Sequence, residues 1–358
     1  MDCREIGETF MKVKIINKED VTRWIDKIAE KYNVLGPVKI KSGDYEFKKI
    51  KSGNEISLDY INPVISPVKQ FLFPSKEVMM KYEKKGKSVD AKVEQQVTEK
   101  TVLFGIRTCD LSAMLFLDKF FLDGFKDTFY ELRRNSLITV NLVCTEPFES
   151  CFCVCADAGP DRKEGFDVQL TKINGSYVAE IGSEKGEEIV KIGGSLFKDA
   201  SQEDIDKKEK IVKDTKENKF KMPTSYFSKA IRHVTANDID EKTWDQLASR
   251  CVGCGSCSYV CPTCTCFNVL DIGTTNKGER VRTWDSCMYS GFTREVSGHN
   301  PRPVFKDRVK RRYYHKLSYY YMKKMGQHGC VGCGRCVIAC IGGIDMPMVS
   351  KFIRRQGQ

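Results

Sequence analysis

Histidine and long apolar runs are both scarce in this chain of 358 residues. Only four histidines are present. No apolar run approaches the roughly 18 residues that a membrane-spanning helix needs. The opening stretch, MDCREIGETFMKVK, lacks the apolar segment of a secretory signal. We therefore expect a cytoplasmic protein without a membrane span.

Several motifs of catalysis and nucleotide binding are also missing. No G-x-G-x-x-G follows a strand-like segment, and no phosphate-binding P-loop is present. There is no C-x-x-C-H haem attachment, and no cysteine–histidine pair suggests a nucleophile. The chain has no evident place for a nucleotide or for substrate chemistry, so we expect it to act with partners.

Cysteine, in contrast, is abundant, with 17 residues. Thiols stay reduced in the cytosol, so a disulfide scaffold explains this number poorly, and the odd count fits disulfides badly as well. Because histidine is scarce, the expected metal sites are rich in thiolates. The net charge of +11 is compatible with nucleic acid, a membrane surface or an acidic protein as a partner, and composition does not choose among them.

Length and pattern predict two domains of mixed α+β and α/β class. In residues 101–144 the apolar segments TVLFGI and LITVNLVC flank CDLSAMLFLDKFFL, whose apolar residues recur at helical spacing. This order predicts a β-α-β unit with parallel strands. We assign residues 1–235 to an N-terminal α/β domain. Residues 236–358 contain two runs of cysteines with the spacing of bacterial ferredoxins. They are predicted to form a helical, ferredoxin-like dicluster domain with an insertion between these cluster motifs.

Two cysteine runs carry the strongest signal in the chain. Residues 251–262 read C-x-x-C-x-x-C-x-x-x-C-P, and residues 330–340 repeat the spacing of the four cysteines. This is the spacing of bacterial ferredoxins, in which the fourth cysteine of each run binds the other cluster. One predicted [4Fe-4S] cluster is therefore held by Cys251, Cys254, Cys257 and Cys340, and the other by Cys330, Cys333, Cys336 and Cys261. Zinc also binds C-x-x-C pairs, but it gives no reason for a third cysteine three residues later in both runs.

A third cluster is predicted upstream. Cys109 follows the first strand of the β-α-β unit and Cys144 follows the second, so both lie at one edge of the predicted sheet. Cys151 and Cys153 come a short loop later and complete a set of four thiolates. Cys155 is an alternative ligand within this loop. Small thiols also pack well in protein cores, and we expect Cys3 to be a free surface thiol.

The insertion between the two runs adds Cys264, Cys266 and Cys287. Three thiolates are able to hold a further cluster or another metal with one non-cysteine ligand. The alternative is three buried free thiols. The same insertion contains the basic, tyrosine-rich stretch 301–324. Such a stretch can bind single-stranded nucleic acid, but it is more often a charged helix face or a docking patch. Its cations would favour the negative charge of reduced clusters.

The sequence resembles two related kinds of iron–sulfur protein, namely the electron-transferring component of anaerobic sulfite reductase and the beta subunit of NiFe sulfhydrogenases. The motifs that carry this resemblance are GIRTCDLSAM, EPFESCFC, GFDVQLT, CVGCGSCSYVCPTCTCF, TWDSCM, SGHNPRP and CVGCGRC. Two departures are Cys155, where relatives have a Ser-Met-Gly-like stretch, and Ile341, which takes the place of the usual proline after the last run. Neither removes a predicted ligand.

The resemblance implies three [4Fe-4S] clusters and a hetero-oligomer. In such a hetero-oligomer, the chain would relay electrons between an FAD subunit that oxidises NAD(P)H and a catalytic subunit. The catalytic subunit would be either a sirohaem sulfite reductase or a NiFe hydrogenase. SCMYSGF favours the first branch, and WDSC and HNPRPVFKDR favour the second. We predict a non-catalytic electron-transfer subunit. The alternatives are a self-contained iron–sulfur redox enzyme, with its active cluster at Cys264, Cys266 and Cys287, and a metal-bearing nucleic-acid binder.

Overall fold

The structure is a computed structural model that describes residues 12–94, 98–222 and 227–355. Its largest element is a mixed sheet of eight strands. In the order in which they lie side by side, these are β10 (Phe197–Asp199), β1 (Lys12–Asn17), β9 (Ser176–Ile181), β8 (Val168–Ile173), β7 (Leu137–Leu142), β6 (Thr101–Arg107), β2 (Asn33–Lys39) and β3 (Tyr45–Ile50). The four strands β8, β7, β6 and β2 are parallel. The outer strands pair antiparallel.

Helices cover both faces of the parallel strands, which is why β6 and β7 are almost continuously apolar. On one face, α1 (Lys18–Ala29) and α4 (Glu184–Gly193) contribute Trp24 and Ile189 to the core. On the other face, α2 (Thr108–Leu122) contributes Leu111 and Met114. The sheet is therefore a rigid base for the residues at its edges.

The predicted β-α-β unit is confirmed, because β6 and β7 pair in parallel. The crossover between them contains α2 and also a second helix, α3 (Thr128–Ser136), which was not predicted. Gly124 takes a left-handed φ of +80° just after α2 ends. The Asp127 carboxylate then accepts a hydrogen bond from the Tyr130 N–H at 2.9 Å. This cap begins a new helix in place of a longer α2.

A second sheet joins distant parts of the chain. Its four antiparallel strands are β11 (Phe267–Gly273), β12 (Lys277–Trp284), β4 (Lys76–Lys85) and β5 (Ser88–Val93), in that order. The first two strands come from the insertion between the cysteine runs. The other two come from a Lys-rich stretch, residues 76–93. That stretch is largely exposed, but the pairing of β4 with β12 was not predicted.

A buried ionic network fixes this pairing. Glu77 of β4 forms ion pairs with Arg282 of β12 and Arg133 of α3, and all three side chains are buried. Arg282 also pairs with Asp127. Because two arginines share Glu77 and Arg282 has a second carboxylate, the buried charges compensate one another. The insertion is thereby attached to the N-terminal part of the chain.

The remaining helices are shorter and lie mainly in the C-terminal part of the chain. They are α5 (Gln202–Asp214), α6 (Phe227–Ala236), α7 (Glu241–Arg250), α8 (Ser256–Tyr259), α9 (Phe305–Leu317), α10 (Tyr319–Met325), α11 (Arg335–Ala339) and α12 (Met346–Arg354). α9 packs against α6 and α7, and α12 packs against α6. The predicted domain boundary at residue 235 falls in the last turn of α6 and stays a prediction.

Across the described ranges, no helix combines the length and the apolar character needed to traverse a lipid bilayer.

Candidate metal centres

The two cysteine runs fold into the same local structure. In the first run, Gly253 and Gly255 have φ of +68° and +75°, and in the second, Gly332 and Gly334 have φ of +62° and +77°. Side chains rarely adopt such angles, so glycine is required at these four positions. Each loop leads directly into a short helix, α8 or α11. The repeat in the sequence is therefore a repeat in three dimensions.

The first cysteine group lines one pocket. Cys251, Cys254 and Cys257 of the first run share it with Cys340 of the second run, and its other walls include Met288, Val309, Tyr313 and Ile344. The Ile344 N–H donates a hydrogen bond to Cys340 Sγ at 3.3 Å. The Cys254 side chain is exposed, and that of Cys257 is partly buried. This burial raises the pKa of the Cys257 thiol. As predicted, three cysteines of the first run lie together with the fourth cysteine of the second run. Cys254 is the member of this group that lies at the surface.

The second group shows the reciprocal arrangement. Cys330, Cys333 and Cys336 lie near one another in the interior. Cys261 of the first run lies within electrostatic reach of Cys330 and Cys333. The Gly332 N–H donates to Cys330 Sγ at 3.5 Å. Burial raises the pKa of the Cys330 thiol to about 12, so this thiol is neutral until a metal displaces its proton.

The third group forms at the edge of the large sheet, as the topology predicted. Cys109 is the second residue of α2, and Cys144 follows the end of β7 by two residues. Cys153 lies within electrostatic reach of Cys109, Cys144 and Cys151. Burial raises the pKa of the Cys151 thiol to about 12. The structure thus brings Cys151 and Cys153 together with the two cysteines that the β-α-β pattern placed at one sheet edge.

The second and third groups are in direct contact through their loops. The Phe152 N–H donates to the Gly332 carbonyl at 2.8 Å. Cys151 Sγ lies 3.8 Å from the Cys333 carbonyl oxygen. A Cβ added to Gly332 would lie only 2.5 Å from the Cα of Cys153. Gly332 therefore serves both its own turn and the close approach of the neighbouring group.

An arginine accompanies each cysteine group. Arg107 lies beside Cys144, and Arg335 lies near Cys333 and Cys109. Arg312 Nη2 donates to the Cys257 carbonyl at 3.2 Å, and its Nη1 has no hydrogen-bond partner. The sequence motifs did not single out these arginines, although each lies close to a cysteine or in the basic stretch 301–324. Their charge favours thiolate over thiol.

Three cations of the basic stretch 301–324 are buried. α9 places Arg308, Arg312 and Lys316 at intervals of four residues, and all three side chains are buried. This agrees with the expectation that cations near the cysteine runs favour negative charge.

The three proposed ligand sets leave Cys155 and Cys3 unassigned. The Cys155 thiol donates to the Met222 carbonyl at 3.9 Å. Cys3 lies outside the described residues. The thiols of Cys264, Cys266 and Cys287 lie beside the two ferredoxin-type groups.

The donor sets fit clusters of several irons. Over the described residues, no three side chains of Cys, His, Asp or Glu converge as the ligands of a single metal ion do. A cubane cluster needs its cysteine sulfurs further apart, around a four-iron core. Soft thiolates are the ligands that iron–sulfur clusters take, and backbone N–H groups already point at two of the sulfurs.

Comparison with known proteins agrees with this geometry. A family model for a 4Fe-4S dicluster domain matches residues 250–344, and a second model of the same description matches residues 215–264. The chain is also 33% identical over 356 residues to the protein named sulfhydrogenase 2 subunit beta of Pyrococcus furiosus. That alignment covers 96% of this chain and 99% of the relative. The chain therefore belongs to the family of the sulfhydrogenase beta subunits, and it carries a 4Fe-4S dicluster domain.

Proposed function

We propose that this chain is the iron–sulfur relay of a hydrogenase-type complex. It carries electrons between an FAD subunit that oxidises NAD(P)H and a catalytic subunit. The observation that carries this proposal is the contact between the loops of the second and third cysteine groups. The first and second groups are joined because each takes its fourth cysteine from the other run. The contact between the loops adds the third group, so the three candidate sites form one continuous series.

The proposed ligands are the twelve cysteines of the three groups. They are Cys109, Cys144, Cys151 and Cys153; Cys330, Cys333, Cys336 and Cys261; and Cys251, Cys254, Cys257 and Cys340. When bound, the three [4Fe-4S] clusters supply one-electron redox chemistry. The cysteinates fix the positions of the iron atoms. The Gly332 and Ile344 N–H groups donate to cysteine sulfurs and so favour the more negative, reduced state.

The two ends of the series differ in exposure, which suits a relay. Cys254 is exposed, and its neighbours Val252 and Ile341 are exposed apolar side chains, with Ile341 80% exposed. We assign this end to a partner subunit that covers the apolar side chains. At the other end, Arg107 and Cys144 lie near the carboxyl edge of the large sheet, where a pocket of about 250 Å³ opens beside Arg107.

The catalytic partner is assigned to the NiFe hydrogenase branch, because the relative's name is that of a sulfhydrogenase subunit. The test is anaerobic isolation of the complex from native cells, followed by identification of the co-purifying subunits. We expect a flavoprotein and NiFe hydrogenase subunits. A sirohaem protein in their place would move the chain to the sulfite reductase branch. Oxidation of NAD(P)H or hydrogen by the isolated chain would contradict a non-catalytic relay.

A further inference from the structure

Three cysteines of the insertion remain unused by the three proposed clusters, yet they lie together. Cys266 and Cys287 line the same pocket, and Cys264 lies within electrostatic reach of Cys266. The Asp285 N–H donates to the Cys266 carbonyl at 2.9 Å, which ties the two segments to each other. Strands β11 and β12 form the hairpin that brings Cys287 back to Cys266.

The position of these thiols is central. The Cys264 N–H donates a hydrogen bond to the carbonyl of Cys261, a proposed ligand of the second group, at 3.3 Å. Cys287 lies within electrostatic reach of Cys257 in the first group. Its sulfur also lies 4.0 Å from the hydroxyl of Ser258. The three thiols thus lie beside both ferredoxin-type groups.

Three buried cations lie around these three thiols. Lys69 is 2% exposed, and Arg312 and Lys316 are each 5% exposed. Lys69 Nζ donates to the Cys264 carbonyl at 2.8 Å, and Lys316 Nζ donates to the Thr263 hydroxyl at 2.7 Å. Lys69 also lies over the Trp284 ring, 4.1 Å from its centroid. Throughout the described ranges, no carboxylate forms an ion pair with any of the three.

This imbalance of charge calls for an anion. A buried cation is costly unless an opposite charge accompanies it, and neutral carbonyls and hydroxyls only partly replace one. The two ferredoxin-type clusters would balance Arg312, which lies beside Cys257 and has an unpartnered Nη1. Lys69 contacts Cys264 instead, on the side of the unused thiols. Metal-bound cysteines are thiolates, so a metal centre at these cysteines supplies negative charge beside Lys69.

Room for a fourth ligand is also present. Cys266 and Cys287 line a pocket of about 440 Å³ together with His315, Arg302 and Arg311. The His315 ring lies against Tyr321, with ring centroids 4.1 Å apart and the ring planes tilted by 53°. Imidazole nitrogen replaces cysteine in some iron–sulfur centres, so this pocket offers a non-cysteine ligand of a suitable kind.

We propose that Cys264, Cys266 and Cys287 hold a fourth [4Fe-4S] cluster, whose remaining iron takes a non-cysteine ligand from the pocket lined by His315. This inference goes beyond the proposed relay and requires only that the chain binds iron–sulfur clusters. The cluster would adjoin both ferredoxin-type sites, and Lys69 would supply its charge compensation.

The first measurement is the iron and zinc content of the complex purified anaerobically from native cells, expressed per copy of this chain after subtracting the partners' metal. Four clusters give about 16 Fe per chain, and three give about 12. A content near 12 Fe, with three additional thiols open to alkylation after mild denaturation, would overturn the proposal. One zinc ion in place of the additional iron would overturn it as well.

The second measurement compares Cys287→Ser with Cys155→Ser in the whole chain. Cys155 is also partly buried, and its thiol donates to the Met222 carbonyl. Removing one ligand of the fourth cluster should lower the iron content of Cys287→Ser by about 4 Fe and remove one set of electron paramagnetic resonance signals. The Cys155→Ser variant should keep both. If both variants keep the same iron content as the unchanged chain, the fourth cluster is contradicted. The proposal of a three-cluster relay is not affected by that result.

Discussion

Arg335 Nη2 donates a hydrogen bond to Asp110 Oδ2 at 2.8 Å, and both side chains are buried. Arg335 lies within the second cysteine run, and Asp110 follows Cys109 of the third group. Arg335 Nε also donates to the Val64 carbonyl at 2.6 Å. This ion pair therefore links two cysteine groups that are separated by more than half of the chain.

Breaking this pair is expected to be costly. Arg335→Met leaves the Asp110 carboxylate buried without its cation, so the free energy of unfolding should fall by about 3–5 kcal/mol. Anaerobic denaturant unfolding of the cluster-loaded protein measures this loss. The double variant Arg335→Met with Asp110→Leu removes both charges and should recover most of it. A double variant as unstable as the single one would show that the charge pair is not the cause.

Gly332 is expected to control the contact between the second and third groups. In Gly332→Ala, the new Cβ would lie 2.5 Å from the Cα of Cys153 and force the two loops apart. The matched control is Gly86→Ala, since Gly86 has a φ of +64° and open space around it. The control should lose only roughly 1–2 kcal/mol from backbone strain. Gly332→Ala should also lose iron, and the magnetic coupling between neighbouring clusters should weaken.

The third cluster can be tested by removing a single ligand. Cys109→Ser should lose about 4 Fe per chain and keep the signals of the two ferredoxin-type clusters. Cys155→Ser serves as the control and should retain its iron. Iron analysis together with electron paramagnetic resonance separates the outcomes. Loss of iron in the Cys155 variant alone would assign Cys155, rather than Cys109, to the third cluster.

Iron removal is expected to unfold the C-terminal helices before the large sheet. The apolar core formed by α6, α7, α9 and α12 contains or adjoins most of the proposed ligands. Metal binding that depends on folding also contributes to folding stability, so the apo protein should lose this core. Limited proteolysis after anaerobic chelation should cut within residues 250–345 and leave the strands of the large sheet intact. Uniform digestion of both parts would contradict this expectation.

The exposed end of the series is expected to be a docking surface. Ile341→Lys places a charge beside Cys254 and should slow electron transfer to a partner without changing the iron content. Phe125→Lys is the control, because Phe125 is exposed in the loop between α2 and α3. The rate of cluster reduction or oxidation in the purified complex measures the effect. Equal rates in both variants would place the docking surface elsewhere.

The local parts of the candidate sites follow from sequence because they depend on short spacings. The cysteine runs form matching loops, and the β-α-β pattern places Cys109 and Cys144 at one sheet edge. The burial of Lys69 was not predicted, because a lysine in the polar stretch SPVKQF has no local sign of its partners. The pairing of β4 with β12 was also missed. It joins two hairpins through Glu77 and Arg282, a contact between residues 205 positions apart that no periodicity reveals.

This pairing has a consequence for synthesis of the chain on the ribosome. All eight strands of the large sheet lie before residue 200, so this sheet can form while translation continues. β4 must wait for β12, and the loop around Cys153 must wait for Gly332. In the interval, the nascent chain exposes the unpaired edge of β4, which is prone to associate with other strands. Chaperones and the machinery that delivers iron and sulfur would therefore act at nearly the same late moment, when residues 277–332 emerge.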